Sequence, residues 1–289
     1  MKRFAIALFG MGLAVLLGGD PSPVLAQSAN EELAQIREQL AQLQQQADRA
    51  TGKQIYDVAC AGCHGLKGDG KGPGGKAFAQ HATDFTKGTY KLRSTSGDVP
   101  APGDLERTIR VGMSGTEMVP FRHLLTERST RAVAGYIRSF SPELSKPDAK
   151  PAEDEIVEIP EKRPFPRTAQ TIEAGKALWE EHDCADCHGE DGQGTKDETD
   201  DWDFPVVMVS FQDGYYKSGP ADQDLYRSIA TGMKGTTMEG YLGDASAEDI
   251  WKMVDYIRSL ARSERQGFIA KAFDFLLRTR PSGFDYSTY

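Results

Sequence analysis

At 289 residues and 39% hydrophobic content, the chain can bury cores for two domains of ordinary size. It carries 34 Lys and Arg against 43 Asp and Glu, a net charge of −9, which excludes nucleic acid and anionic membrane surfaces as expected partners. All four cysteines fall in two short motifs, leaving none for a structural disulfide. In chain order, residues 1–26 read as an export signal. Lys2 and Arg3 precede an apolar run from Phe4 to Leu17, and Val24-Leu25-Ala26 is placed for cleavage before Gln27. The run is shorter than the ~20 residues a spanning helix needs, and no later stretch is apolar enough to span, so the expectation is a bacterial periplasmic protein. Over 27–51, Leu33, Ile36, Leu40, Leu43 and Ala47 recur at spacings of three and four. They predict an amphipathic helix with a heptad-like seam under three heptads long, suited either to packing on the next domain or to a weak oligomer contact.

The next motif, Cys60-Ala61-Gly62-Cys63-His64, returns as Cys184-Ala185-Asp186-Cys187-His188. Two cysteines three apart on a helical turn point to one side, where they can add across the two vinyl groups of a haem while the adjoining histidine reaches the iron. Zinc or a redox dithiol would be the other readings. The cysteine pairs lie 124 residues apart, however, and a dithiol does not need histidine twice in the same next position. Two covalently bound haem c groups, on Cys60 and Cys63 and on Cys184 and Cys187, are therefore expected. The glycines after each motif (Gly65 to Gly75; Gly189 to Gly194) read as a loop wrapping the haem edge, since no strand precedes them as in a phosphate loop.

The chain is duplicated. Asp104-Leu105-Glu106-Arg107-Thr108-Ile109-Arg110-Val111-Gly112-Met113 answers Asp224-Leu225-Tyr226-Arg227-Ser228-Ile229-Ala230-Thr231-Gly232-Met233, and Tyr136-Ile137-Arg138-Ser139 answers Tyr256-Ile257-Arg258-Ser259. In each copy the aspartate is placed to cap a helix and the glycine to end it. The expected domains are 52–140 and 168–263. Between them, 141–167 holds six of the fifteen prolines and reads as an extended linker. A tail helix over 264–289 carries Phe268, Ile269, Ala272, Phe273, Phe275 and Leu276 on one side, suited to packing back on this protein or to docking a partner. Residues 52–140 have 13 basic and 8 acidic side chains, net +5, whereas 168–263 have 8 and 20, net −12.

With His64 and His188 on the irons, the sixth position decides the chemistry: a protein ligand makes an electron shuttle, an open position a reactive site. Met118 and Met238 each follow a Gly-Thr turn that frees them from the preceding helix, so they are the expected ligands. Met113 and Met233 sit at helix ends, where packing is the usual role. His123 competes with Met118. His81 and His182 lack a counterpart in the other copy and are expected to be solvated, as is the acidic run Asp197, Glu198, Asp200, Asp201 and Asp203.

Cys-x-x-Cys-His, then Gly-Met-x-Gly-Thr-x-Met, then a closing amphipathic helix resembles the class I cytochrome c pattern. Its duplication resembles dihaem electron-transfer cytochromes of the c4 type and related dihaem subunits of respiratory chains. The resemblance implies an all-α fold, two tandem cytochrome c domains, with histidine and methionine on each iron. In this family Pro often follows the ligand methionine directly; here Val119 precedes Pro120, and the second copy has Glu239-Gly240. The expected function is a periplasmic carrier passing single electrons between redox proteins of a respiratory chain, compatible with a place in a membrane-associated complex. A basic partner is expected at the second domain and an acidic one at the first. The alternative is a dihaem enzyme, of peroxidase or thiosulfate-oxidising type, with one haem open at the sixth position.

Overall fold

A computed structural model describes residues 23–77, 81–146, 148–194, 198–201, 203–206 and 208–262. The expected export signal, as far as residue 22, and the tail over 264–289 lie outside the described residues. The chain forms two compact units, one up to Asp48 and one from Arg49. Among the described residues, no helix is long and apolar enough to cross a membrane.

Helix α1 runs unbroken from Pro23 to Ala59, so the seam-bearing segment and the lead into Cys60 are a single element. Leu33, Ile36, Leu40 and Leu43 on it are 49, 51, 60 and 61% exposed. The unit from Arg49 contains the duplication. The first copy has α2 (Ala61–His64), α3 (Pro102–Val111) and α4 (Glu127–Arg138); the second has α5 (Ala169–Glu181), α6 (Ala185–His188), α7 (Asp222–Thr231) and α8 (Ala247–Leu260). A short antiparallel pair, β1 (Glu198–Thr199) and β2 (Pro205–Val206), interrupts the second copy.

Local chemistry sets the helix ends. Thr126 and Ser246 hydroxyls accept from the N–H groups of Ser129 and Asp249 (both 3.2 Å) and start α4 and α8. Asp104 and Asp224 do not occupy the cap position expected of them. They sit in the first turn and reach back to accept from Ala101 N–H (2.9 Å) and Ala221 N–H (3.1 Å). Gly112 and Gly232, at φ 72° and 68°, end α3 and α7 as expected.

Each copy builds its own core. Tyr56, Leu105, Ile109, Val133 and Ile137 fill the first; Trp179, Leu225, Ile229, Val254 and Ile257 fill the second. Two glycines, Gly52 on α1 and Gly175 on α5, let the helix leading into each cysteine motif cross the last helix of its copy closely. A Cβ on Gly52 would lie 2.1 Å from Ala132 O, and one on Gly175 would lie 1.9 Å from Lys252 O. The stretch 141–167 is pinned along its length. Leu144 joins the first core and Val157 the second. Val157 N–H donates to Ser94 O (2.9 Å), and Arg163 pairs with the buried Asp255.

Candidate metal centres

Each cysteine motif is one helical turn facing one cavity. Cys60 N–H donates to Tyr56 O, His64 N–H to Cys60 O and Gly65 N–H to Ala61 O, all at 2.9 Å. In the second copy Cys184 N–H reaches Trp179 O (3.1 Å) past Asp183, which is left-handed at φ 51°, and His188 N–H donates to Cys184 O (3.0 Å). The glycines after the motif brace this turn. Gly70 N–H donates to His64 O (2.9 Å), Gly72 N–H to Cys63 O (3.0 Å), and a Cβ on Gly72 would stand 2.5 Å from Gly62 O.

Cys60, Cys63, His64 and Met118 line one cavity; Cys184, Cys187, His188 and Met238 line another. The walls match between copies. Phe85, Tyr90, Leu105, Ile109 and Ile137 in the first are answered by Phe211, Tyr216, Leu225, Ile229 and Ile257 in the second. Burial pushes the Cys60 and Cys184 thiols up to about 11, so neither is a thiolate at neutral pH. A thiol held protonated is not an activated redox nucleophile. Burial also lowers His64, and takes His188 down to about 4, keeping both rings in the neutral form that donates a lone pair to a metal. His64 Nδ1 lies 3.1 Å from Thr83 O. A carbonyl can only accept, so Nδ1 carries the proton and Nε2 keeps its lone pair for iron. Two cysteines on one helical turn, with a neutral imidazole beside them on a largely apolar wall, are a set of residues that a covalently attached haem fits.

The methionine turns are alike down to single hydrogen bonds. Met113 and Met233 N–H donate to Met118 O and Met238 O (both 2.9 Å), and Thr116 and Thr236 hydroxyls accept from Met118 N–H and Met238 N–H (both 3.2 Å). Downstream, Phe121 N–H meets Ile109 O (3.0 Å) and Tyr241 N–H meets Ile229 O (2.9 Å), so exchanging Pro120 for Gly240 leaves the turn unchanged.

The sequence model of the cytochrome c family matches residues 49–141 and 172–261. The chain belongs to the cytochrome c family. Its two tandem domains place it among the haem c-binding, electron-transferring proteins of that family. A solved chain from the Kuenenia stuttgartiensis reducing HAO-like protein complex Kustc0457/Kustc0458 is 32% identical, with a TM-score of 0.66 over 73% of this chain and 96% of that one. No curated protein matches the sequence.

Several residues of this cytochrome depart from their sequence-based expectation. His123 is exposed and bonded to Arg122 Nε (3.0 Å), so among the residues lining the first cavity the histidines are His64 and His81. His182 is half-buried with its ring edge against Tyr241. His81, expected to be solvated, stacks on Phe204 at 3.8 Å between ring centres and, with Lys91 and Met113, lines both cavities. Asp200 is not solvated either: it is 9% exposed, accepts from Phe204 N–H (3.1 Å) and pairs with Lys91 (3.1 Å). The second cavity also gains Met208, Met253 and Lys217. Burial, helped by Lys91, lowers the Lys217 ammonium to about 8. Because the first copy has Ala82 and Val133 where the second has Met208 and Met253, comparing the repeats could not flag them.

The two copies meet through opposite charges. Arg107 pairs with Asp224 and donates to Ser218 O (3.0 Å), Lys234 pairs with Asp98 (2.5 Å), and Thr231 Oγ1 donates to Arg93 O (2.9 Å).

Proposed function

We propose that this cytochrome is an exported, periplasmic dihaem electron carrier of a respiratory chain. Haem c is attached at Cys60 and Cys63 and at Cys184 and Cys187, with His64 and Met118 as axial ligands in the first site and His188 and Met238 in the second. When bound, the haem supplies one-electron chemistry at each site. The residues decide how it is used. The neutral imidazoles give their lone pairs, the buried aliphatic walls exclude water, and the thioethers favour the ferrous state. The observation that carries the reading is that both copies bring a Cys-x-x-Cys-His turn and an identically bonded methionine turn to the same cavity. His81, Lys91 and Met113 line both cavities, so the wall they share would separate the two haems and offer a route for electrons between them. The likeness to a chain of a reducing HAO-like protein complex supports work beside protein partners, and the charges of the two domains suit a basic partner at the acidic second and an acidic one at the basic first. The alternative, a dihaem enzyme, needs one open sixth position, and the matched methionine turns speak against it.

Spectra of the haem-loaded protein test this. Two iron-to-thioether bands are expected, one lost in Met118→Ala and the other in Met238→Ala, with carbon monoxide bound only by the variants. Gas binding to either ferrous haem of the unaltered protein would establish the enzyme reading instead.

A further inference from the structure

The seam of α1 has no role in either haem site. Leu33, Ile36, Leu40 and Leu43 are each about half exposed or more, and Ala47 and Ala50 continue the same spacing on exposed positions. Nearly every other residue of 31–46 is Glu, Gln or Arg, so the apolar character is confined to one stripe with a 3.5-residue repeat. Such a repeat stays in contact over several turns only with a helix of the same repeat, and α1 of another copy has it. In a parallel pair, residues flanking the seam meet five positions apart across the interface. Glu32 then faces Arg37 of the second copy, Gln39 faces Gln44 and Gln46 faces Thr51, with no like-charge pair. From these observations we infer that α1 is a self-association site, pairing in parallel with α1 of a second copy of this chain through Leu33, Ile36, Leu40 and Leu43. The apolar contact spans under three heptads, so association is weak and concentration-dependent.

Sedimentation equilibrium of the haem-loaded full-length protein, over a wide concentration range, gives the test. Reversible association is expected. Leu40→Lys, at an exposed position, should weaken it about 100-fold or more by putting two cations in the seam. Glu32→Lys should weaken it about fivefold, and adding Arg37→Glu should restore it. Ala47→Cys should form a disulfide-linked dimer under oxidising conditions, because parallel pairing sets residue 47 against itself. Unchanged haem spectra and helix content verify that the variants are folded. A protein that stays monomeric at every concentration, an association indifferent to Leu40→Lys, or an Ala47→Cys variant that associates without cross-linking would overturn the proposal. A different chain as the natural occupant would give the first of these results.

Discussion

The two imidazoles differ in one atom's surroundings. His64 Nδ1–H has Thr83 O as its acceptor, whereas His188 Nδ1 is buried and has no hydrogen-bond partner among the described residues. A donated Nδ1–H makes the ring a stronger electron donor and favours ferric iron. On the second wall, the cationic Lys217 favours the ferrous state, since a positive charge opposes loss of an electron. Both effects act in one direction, so the second haem should have the higher midpoint potential. In a potentiometric titration, with each wave assigned by Met118→Ala and Met238→Ala, Lys217→Gln should lower the higher wave by about 60 mV, one tenfold step for a one-electron couple, and leave the other in place. A lower potential at the second haem would refute the argument. The two Cys-x-x-Cys-His turns and the two Gly-Thr-x-Met turns could be picked out of the sequence as candidates because each is defined by spacing within a single turn. Lys217, His81, Met208 and Met253 could not, because what places them is packing between segments far apart in the chain.

At the level of elements, the helix leading into each cysteine motif approaches the last helix of its copy closely, and the approach depends on a glycine. Gly52→Ala and Gly175→Ala would drive a methyl group into the backbone carbonyls of Ala132 and Lys252. Each should cost roughly 1–3 kcal/mol or more, as overpacking against backbone that cannot rotate away. Gly135 is a contrasting case on α4: exposed, with nothing within 4 Å of an added Cβ. Gly135→Ala should stabilise by about 0.5–1 kcal/mol through helix propensity alone. Denaturant melts of the haem-loaded variants should show these opposite signs. Apolar periodicity predicts that α4 and α8 are amphipathic, and both pack as that pattern requires. It does not reveal which helix they cross, so Gly52 and Gly175 read only as the start of a helical stretch. Composition predicts an extended linker for the proline-rich stretch, whereas residues 142–145 form turns and Glu153–Glu155 a short 3-10 helix. The anchors of that stretch were hidden, because Arg163 meets Asp255 92 residues away.

For the molecule as a whole, the opposite charges of the two domains were visible in the composition, but composition alone does not say what they attract. Part of the answer lies inside the chain, where Lys91, Arg107 and Asp98 of the basic domain pair with Asp200, Asp224 and Lys234 of the acidic one. Asp224 is 3% exposed and also accepts from Arg227 (3.1 Å) and Ala221 N–H. Removing Arg107 therefore leaves it partly satisfied, and Arg107→Ala should cost about 1–3 kcal/mol, less than a buried charge left alone. Lys91 matters more for function, since it holds Asp200 beside the wall common to both cavities. Lys91→Glu sets two carboxylates against each other there, which should push the domains apart around the His81–Phe204 stack. Electron exchange between the haems, followed after flash reduction, should slow at least tenfold in this variant, since a tunnelling gap has widened, while each haem keeps its thioether band. Asp201→Lys, on an exposed residue of the same acidic stretch, provides the comparison. It should leave exchange between the haems untouched and slow transfer only with a basic partner, an effect that rising salt removes by screening. If Lys91→Glu leaves exchange between the haems at its original rate, the shared wall is not the route electrons take.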